Sequence, residues 1–195
     1  MNMISDTIKY IGVDDLDIDL FESQYVVPEG MSYNSYLIDD EKIAVLDTAD
    51  RRKGEEWKTN LAVALNGRQP DYLVVHHMEP DHSALIAWML ETYPGVQLVC
   101  SAQAVKMLAN FFEGVDFTGR VITVKEGDTL ALGQHTLQFI GAAMVHWSTR
   151  PMTGLARRVA ITLIFVVNMV CRCRVSSRRL LPLIFRLFVR CMVLC

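Results

Sequence analysis

The segment Val74–Ile86, "VVHHMEPDHSALI", places three histidines, a glutamate and an aspartate within seven residues, directly after an apolar run. Imidazole and carboxylate side chains together suit iron, zinc or manganese, and no cysteine lies nearby to make a thiolate site. A chain leaving a β-strand is still extended, so alternate residues project to the same side. His77, Glu79 and Asp81 are therefore expected to point together, with Met78 and Pro80 pointing away. Pro80 biases Glu79 toward an extended backbone and so prolongs the alternation. His82 then opens the following helix, from which its ring can turn back into the same cavity. His76 has the opposite parity to His77 and is expected in the core or as support behind the ligands. A polar loop with one histidine is usually only a solvated connection; five ligating side chains at this spacing favour a metal site.

Two histidines lie further on. His135, beside Gly133 and Gln134 in a predicted hairpin turn, is expected to be solvated. His146 ends the apolar stretch "FIGAAMVHW" in a position like that of His77. From the residues alone it either converges on the same site or simply terminates its strand.

The elements that must position these groups alternate along the chain. Ser35–Ile38 and Ile43–Asp47 read as strands joined by the turn-prone "DDEK". "RRKGEEWKTNLAVALNG" spaces Trp57, Leu61 and Leu65 as a helix, with Asn66-Gly67 as its stop. "DYLVVHH" is a buried strand, "DHSALIAWMLETYPG" a helix, "VQLVCS" a strand and "AQAVKMLANFFEG" a helix. Three short strands follow up to Trp147, with turns at Glu126-Gly127-Asp128 and Gly133-Gln134. This is a layered α/β pattern, and it places the histidine-rich loop at the carboxyl end of a strand, where such folds bind ligands.

Composition divides the 195 residues in two. Residues 1–147 hold ten lysines and arginines against all 22 acids; residues 148–195 hold nine arginines, no lysine and no acid. Half the chain is hydrophobic and a fifth charged, which excludes a disordered polypeptide. No nucleic-acid partner is expected. Of the five cysteines only Cys100 lies in the first part, so no disulfide framework is implied there and a reducing cytoplasm is expected. The start, "MNMISDTIKYIGVDDLDIDL", has neither the cationic flank nor the apolar run of a secretory signal.

"HHMEPDH", with "YNSYLID" and "VLDTAD" before it and "GAAMVHW" after it, resembles the N-terminal part of the flavodiiron proteins, or A-type flavoproteins. The likeness runs from about Tyr10 to Trp147. It implies a metallo-β-lactamase-like αββα sandwich, of which only the N-terminal part is encoded. Zinc hydrolases of that superfamily usually read His-x-His-x-Asp-His; Glu79 stands at the second of those positions, as in the diiron branch. The resemblance implies that His77, Glu79 and His146 bind one iron, that Asp81 serves the other, and that His82 is a ligand or close neighbour. Asp47, in "LDT", is implied as support beside the site. The implied chemistry is reduction of dioxygen to water or nitric oxide to nitrous oxide at two non-haem irons. Electrons would come from FMN on a flavodoxin-like domain of the partner subunit in a head-to-tail homodimer. A rubredoxin or a flavin reductase would supply them.

Beyond Trp147 the likeness stops. His146 is the last histidine and Asp128 the last acid, so no later residue can supply a bridging carboxylate or a further imidazole. Two domains are therefore expected, residues 1–147 as a partial diiron domain and residues 148–195 as an aberrant basic, apolar tail. An acid-free composition fits out-of-frame sequence better than an adapted membrane-contacting tail. With no flavodoxin domain in the sequence, the chain is expected to lack a complete site. "VAITLIFVVNMV" is shorter than the roughly 20 apolar residues of a membrane span, and Pro182 interrupts the next apolar run. Two rivals are a zinc-dependent hydrolase of the same superfamily and a non-catalytic module that binds metal or associates with membranes through the tail.

Overall fold

The structure is a computed structural model that describes residues 2–21, 25–76, 78–143 and 162–166. Its centre is the predicted strand pair, found as β7 (Tyr36–Ile38) and β8 (Ala44–Leu46). Before them come β1 (Asn2–Met3), β2 (Ile8–Tyr10), β3 (Val13–Asp15), β4 (Leu20–Phe21), β5 (Tyr25–Val26) and β6 (Met31–Tyr33). After them come a 3-10 turn at Arg51–Lys53, α1 (Gly54–Leu65), β9 (Tyr72–Val74), α2 (Pro80–Ser83) and α3 (Ile86–Thr92). The series continues with β10 (Gln97–Ser101), α4 (Ala102–Phe111), β11 (Val121–Val124), β12 (Thr129–Ala131), β13 (Thr136–Ala143) and β14 (Thr162–Val166).

Seven strands form the main sheet, in the order β1-β2-β7-β8-β9-β10-β11. Neighbours from β1 to β8 are antiparallel, and those from β8 to β11 are parallel. β12, β13 and β14 make a second, antiparallel sheet, and β3–β6 and β4–β5 are separate two-stranded ribbons. Side chains alternate across the main sheet as the pleat requires. Leu37, Val45, Leu73 and Leu98 enter one apolar cluster with Trp57 and Leu61 of α1 and Met89 of α3. Tyr36, Ile38, Leu46, Val74 and Val99 enter another, with Leu137 and Phe139 of β13. The layers are thus helix, sheet and sheet. Among the described residues no helix joins the second cluster.

Local chemistry sets the boundaries. α1 buries Trp57, Leu61, Ala64 and Leu65 along one face, and Asn66 ends it with φ 49°, a left-handed cap that asparagine tolerates. Ser101 caps α4 by accepting from Ala104 N at 3.0 Å. The Arg120 guanidinium donates to the carbonyls of Leu90, Tyr93 and Val96 at 3.0, 3.0 and 2.9 Å, closing the end of α3.

The helix predicted from Asp81 to Tyr93 is instead two pieces, α2 and α3. Thr48 causes the break. Its N and Oγ1 donate to the His82 carbonyl at 2.8 and 2.7 Å, and its Oγ1 accepts from Leu85 N at 3.3 Å. Both backbone groups are thereby diverted from the i→i−4 bonds of a continuous helix.

His135 corrects a second expectation. It is 4 % exposed rather than solvated, because Asp40 in the β7–β8 turn accepts from its Nδ1 at 2.5 Å and its backbone N at 2.7 Å. Within the predicted tail, β14 pairs along β13 from Phe139↔Val166 to Ala143↔Thr162, so the apolar run "TLIFV" serves as an edge strand. No helix of the described residues is long and apolar enough to cross a membrane.

Candidate metal centre

Asp47 follows the last residue of β8 and His76 lies just beyond β9, the neighbouring parallel strand. Both therefore stand at the carboxyl ends of adjacent strands. Asp47 has φ 56°, a left-handed conformation open to aspartate, and Ser35 Oγ holds its carbonyl at 2.9 Å. The carboxylate is turned toward the loop. Its Oδ1 accepts from His76 N at 2.8 Å, and its Oδ2 accepts from His76 Nδ1 at 2.6 Å and His82 Nδ1 at 3.0 Å.

This single buried carboxylate organises the site. Burial alone would raise the Asp47 pKa, but His76 and His82 outweigh it and hold the acid well below the usual carboxylate range. An ionised carboxylate only accepts, so each ring carries its bonded proton on Nδ1 and presents Nε2 to the other side. A carboxylate or carbonyl behind a histidine fixes ring orientation in this way at metal sites. Burial by itself would lower the His82 pKa; Asp47 and Asp81 more than reverse that and raise it to about 10. His82 Nε2 stands 3.2 Å from Asp81 Oδ2.

The extended backbone that was expected to carry Asp81 ends one residue earlier than that alternation needs. Glu79 is still extended, with φ −69° and ψ 146°, and Pro80 starts α2. Asp81 and His82 therefore enter the site from a helical turn, both buried, at 4 and 9 % exposure. Glu79 is half-buried at the helix entrance, and Met78 points into the apolar core as expected. Ser83 Oγ ties the loop back on itself by donating to the Met78 carbonyl at 3.1 Å. His77 and His146 lie outside the described residues.

Among the described residues one atom of this arrangement has no partner. Asp81 Oδ1 is fully buried and makes no hydrogen bond. Stranding a carboxylate oxygen away from water costs about 1–3 kcal/mol or more unless a cation or donor meets it. Among the described residues no three histidine, cysteine, aspartate or glutamate side chains form a complete metal group by themselves. The described set does fit part of one in chemistry: an oriented His82 imidazole beside a buried, unsatisfied carboxylate oxygen. His76, expected in the core or behind the ligands, is buried and held by Asp47. Thr48 and Ser35 were not anticipated, although a hydroxyl directly after the "LD" of "LDT" is a signal that could have marked Thr48.

Known proteins share this framework. A sequence profile described as ODP family beta lactamase matches residues 31–153. An anaerobic nitric oxide reductase flavorubredoxin of Vibrio vulnificus is 30% identical over 154 residues, covering 78% of this chain and 31% of that protein. A putative diflavin flavoprotein A 2 of Synechocystis is 39% identical over 140 residues, covering 71% of this chain and 24% of that one. The solved rubredoxin oxygen:oxidoreductase of Desulfovibrio gigas superposes with a TM-score of 0.69 at 30% identity, covering 75% of this chain and 36% of that one. The chain thus spans about a third or less of the length of these relatives. It belongs to the ODP family of beta-lactamase proteins, with the metallo-β-lactamase-like domain found in flavodiiron proteins.

Proposed function

We propose that residues 1–147 are the metal-binding part of a flavodiiron oxidoreductase that acts on dioxygen or nitric oxide. The observation that carries this reading is the buried Asp81 Oδ1, left without a partner beside the His82 ring that Asp47 orients. His77, Glu79 and His146 would hold one iron, with Asp81 on the other and His82 as a ligand or neighbour. A pair of ferrous irons, when bound, supplies the electrons for reduction at the site. Asp47 keeps the protons of His76 and His82 on Nδ1, and His82 Nε2 faces Asp81 Oδ2 at 3.2 Å. Thr48 fixes the His82 backbone through its carbonyl, and Asp47 orients the ring.

FMN, an external electron donor such as a rubredoxin or flavin reductase, a head-to-tail homodimer and a cytoplasmic location complete the proposal by family likeness. The acid-free residues 148–195 carry no carboxylate and no imidazole, so any bridging acid must come from elsewhere. We read that segment as out-of-frame sequence.

Metal competition tests this function. The chain is equilibrated without oxygen with equal ferrous iron and zinc, and the bound metal is quantified. Iron retained in the wild type, and a shift toward zinc in Glu79→His, are expected. A wild type that excludes iron and hydrolyses a thioester with zinc would instead establish the hydrolase.

A further inference from the structure

The motif "YNSYLID" reaches the candidate centre through one residue, Ser35. It stands opposite Asp47 where the antiparallel register of β7 and β8, Tyr36↔Leu46, runs on by one residue. Ser35 is fully buried, and its carbonyl accepts from Ile11 N at 2.9 Å, just past β2. Its hydroxyl donates to the Asp47 carbonyl at 2.9 Å.

That bond acts where the direction of the Asp47 side chain is decided. Were β8 to continue through Asp47, alternation would put the carboxylate on the face of Val45, in the apolar cluster packed by α1 and α3. The angle φ turns Cβ about the N–Cα bond. Moving from about −120° in a strand to 56° swings the side chain by nearly half a turn. The left-handed conformation thus takes the carboxylate off the apolar face and aims it at His76 and His82.

Three hydrogen bonds hold this conformation. Asp47 N donates to the Val74 carbonyl at 2.9 Å and fixes the peptide before Asp47. The peptide after it is gripped at its oxygen by Ser35 Oγ and at its nitrogen by the His82 carbonyl, at 2.9 and 2.8 Å. With both peptide planes fixed, the direction of Cβ is fixed. The His82 bond comes from the loop that has to be oriented, whereas Ser35 ties the second peptide to the sheet.

We propose that Ser35 is a positioning residue for the metal centre: its hydroxyl holds Asp47 in the left-handed conformation from which one carboxylate orients both rings. It acts on the Asp47 backbone, and through Asp47 on His82 beside Asp81. This inference rests on the metal-binding reading above.

Cobalt(II) titration of the full chain, followed by d–d absorption, and proton NMR of the isotope-labelled metal-free chain provide the test. In the wild type the Nδ1 protons of His76 and His82, each bonded to Asp47, are expected as low-field signals. Ser35→Ala is expected to lose or shift both signals. It should also bind cobalt about tenfold more weakly, the lower end of the loss seen when partners behind metal ligands are removed. Arg120→Ala loosens the fold at the amino ends of β10 and β11 and serves as the control. It should keep both signals and the cobalt affinity at equal folded fraction. Ser35→Cys, similar in size and a weaker donor, should move both signals in the same direction by less. Unchanged signals or unchanged cobalt affinity in Ser35→Ala overturn the positioning role alone. Where Ser35→Ala does not fold, unchanged signals in Ser35→Cys overturn it. A wild-type chain that binds no cobalt overturns the metal reading, and the positioning role with it.

Discussion

Replacing Asp47 by asparagine isolates the buried carboxylate on which the candidate centre depends. The substitution is nearly isosteric, and asparagine tolerates the φ of 56° at this position, so backbone strain is not introduced. The amide oxygen can keep the bond from His76 N, now 2.8 Å from Oδ1. The amide nitrogen, however, replaces the oxygen that accepts from both His76 Nδ1 and His82 Nδ1. Two bonds to a charged acceptor are lost, each worth about 1.5–3 kcal/mol, and removing one partner of a buried ion pair typically costs about 3–5 kcal/mol. The metal-free variant is therefore expected to lose about 3–5 kcal/mol of a domain stability of about 5–15 kcal/mol. Urea unfolding in the presence of a chelator measures it. The pH dependence adds a signature. His82 is raised to about 10 in the folded chain, so its contribution is full below the unfolded histidine value of about 6.5 and fades as pH climbs toward 10. The gap between wild type and Asp47→Asn should narrow over that interval. A loss below about 1 kcal/mol, with no change in the gap, would refute the reasoning and place Asp47 among weakly coupled surface pairs.

Two further outcomes follow from other parts of the fold. Burial would raise Asp40, but the His135 bond and the N–H groups of Glu41, His135 and Gln134 hold it down at about 2. Its contribution to stability is present above the unfolded value of about 3.9 and is lost as pH falls through about 2, so Asp40→Asn should flatten the acid limb of a urea-midpoint profile. Arg120→Ala should cost roughly 2–4 kcal/mol in urea unfolding, because three carbonyls at the end of α3 lose a charged donor. Arg120→Lys, with a single ammonium group, should recover only part of this.

Much of the fold could be read from the sequence where a segment shows helical spacing or an unbroken apolar run beside turn residues. The strands β7 to β11, the helices α1 and α4, and the turn at Asn66 announce themselves through apolar runs, helical spacing and a capping residue. The six strands before β7 do not: each spans two or three residues, and unlike the "YLI", "AVL" and "YLV" of β7, β8 and β9 none is an unbroken apolar run of three. The break between α2 and α3 was hidden for a different reason: Thr48, more than thirty residues earlier, supplies the competing hydrogen bonds. His135 shows the same limit. A histidine beside glycine in a turn reads as solvated until a distant aspartate is folded against it. At the candidate centre the residue types and the burial of His76 were visible. The route by which Asp81 enters was not, because Pro80 starts a helix as readily as it extends the residue before it. The anchoring of both rings by Asp47 was visible only as support implied by family likeness.

Iron uptake by the chain and by its Asp81→Ala variant addresses the central claim most directly. Both proteins are dialysed to equilibrium against ferrous iron without oxygen, their folding is verified by circular dichroism, and bound iron is counted per chain. The account predicts that the wild type retains iron and that the folded variant, having lost the buried unsatisfied carboxylate, retains much less. Equal iron in the two folded proteins, or none in the wild type, would contradict it.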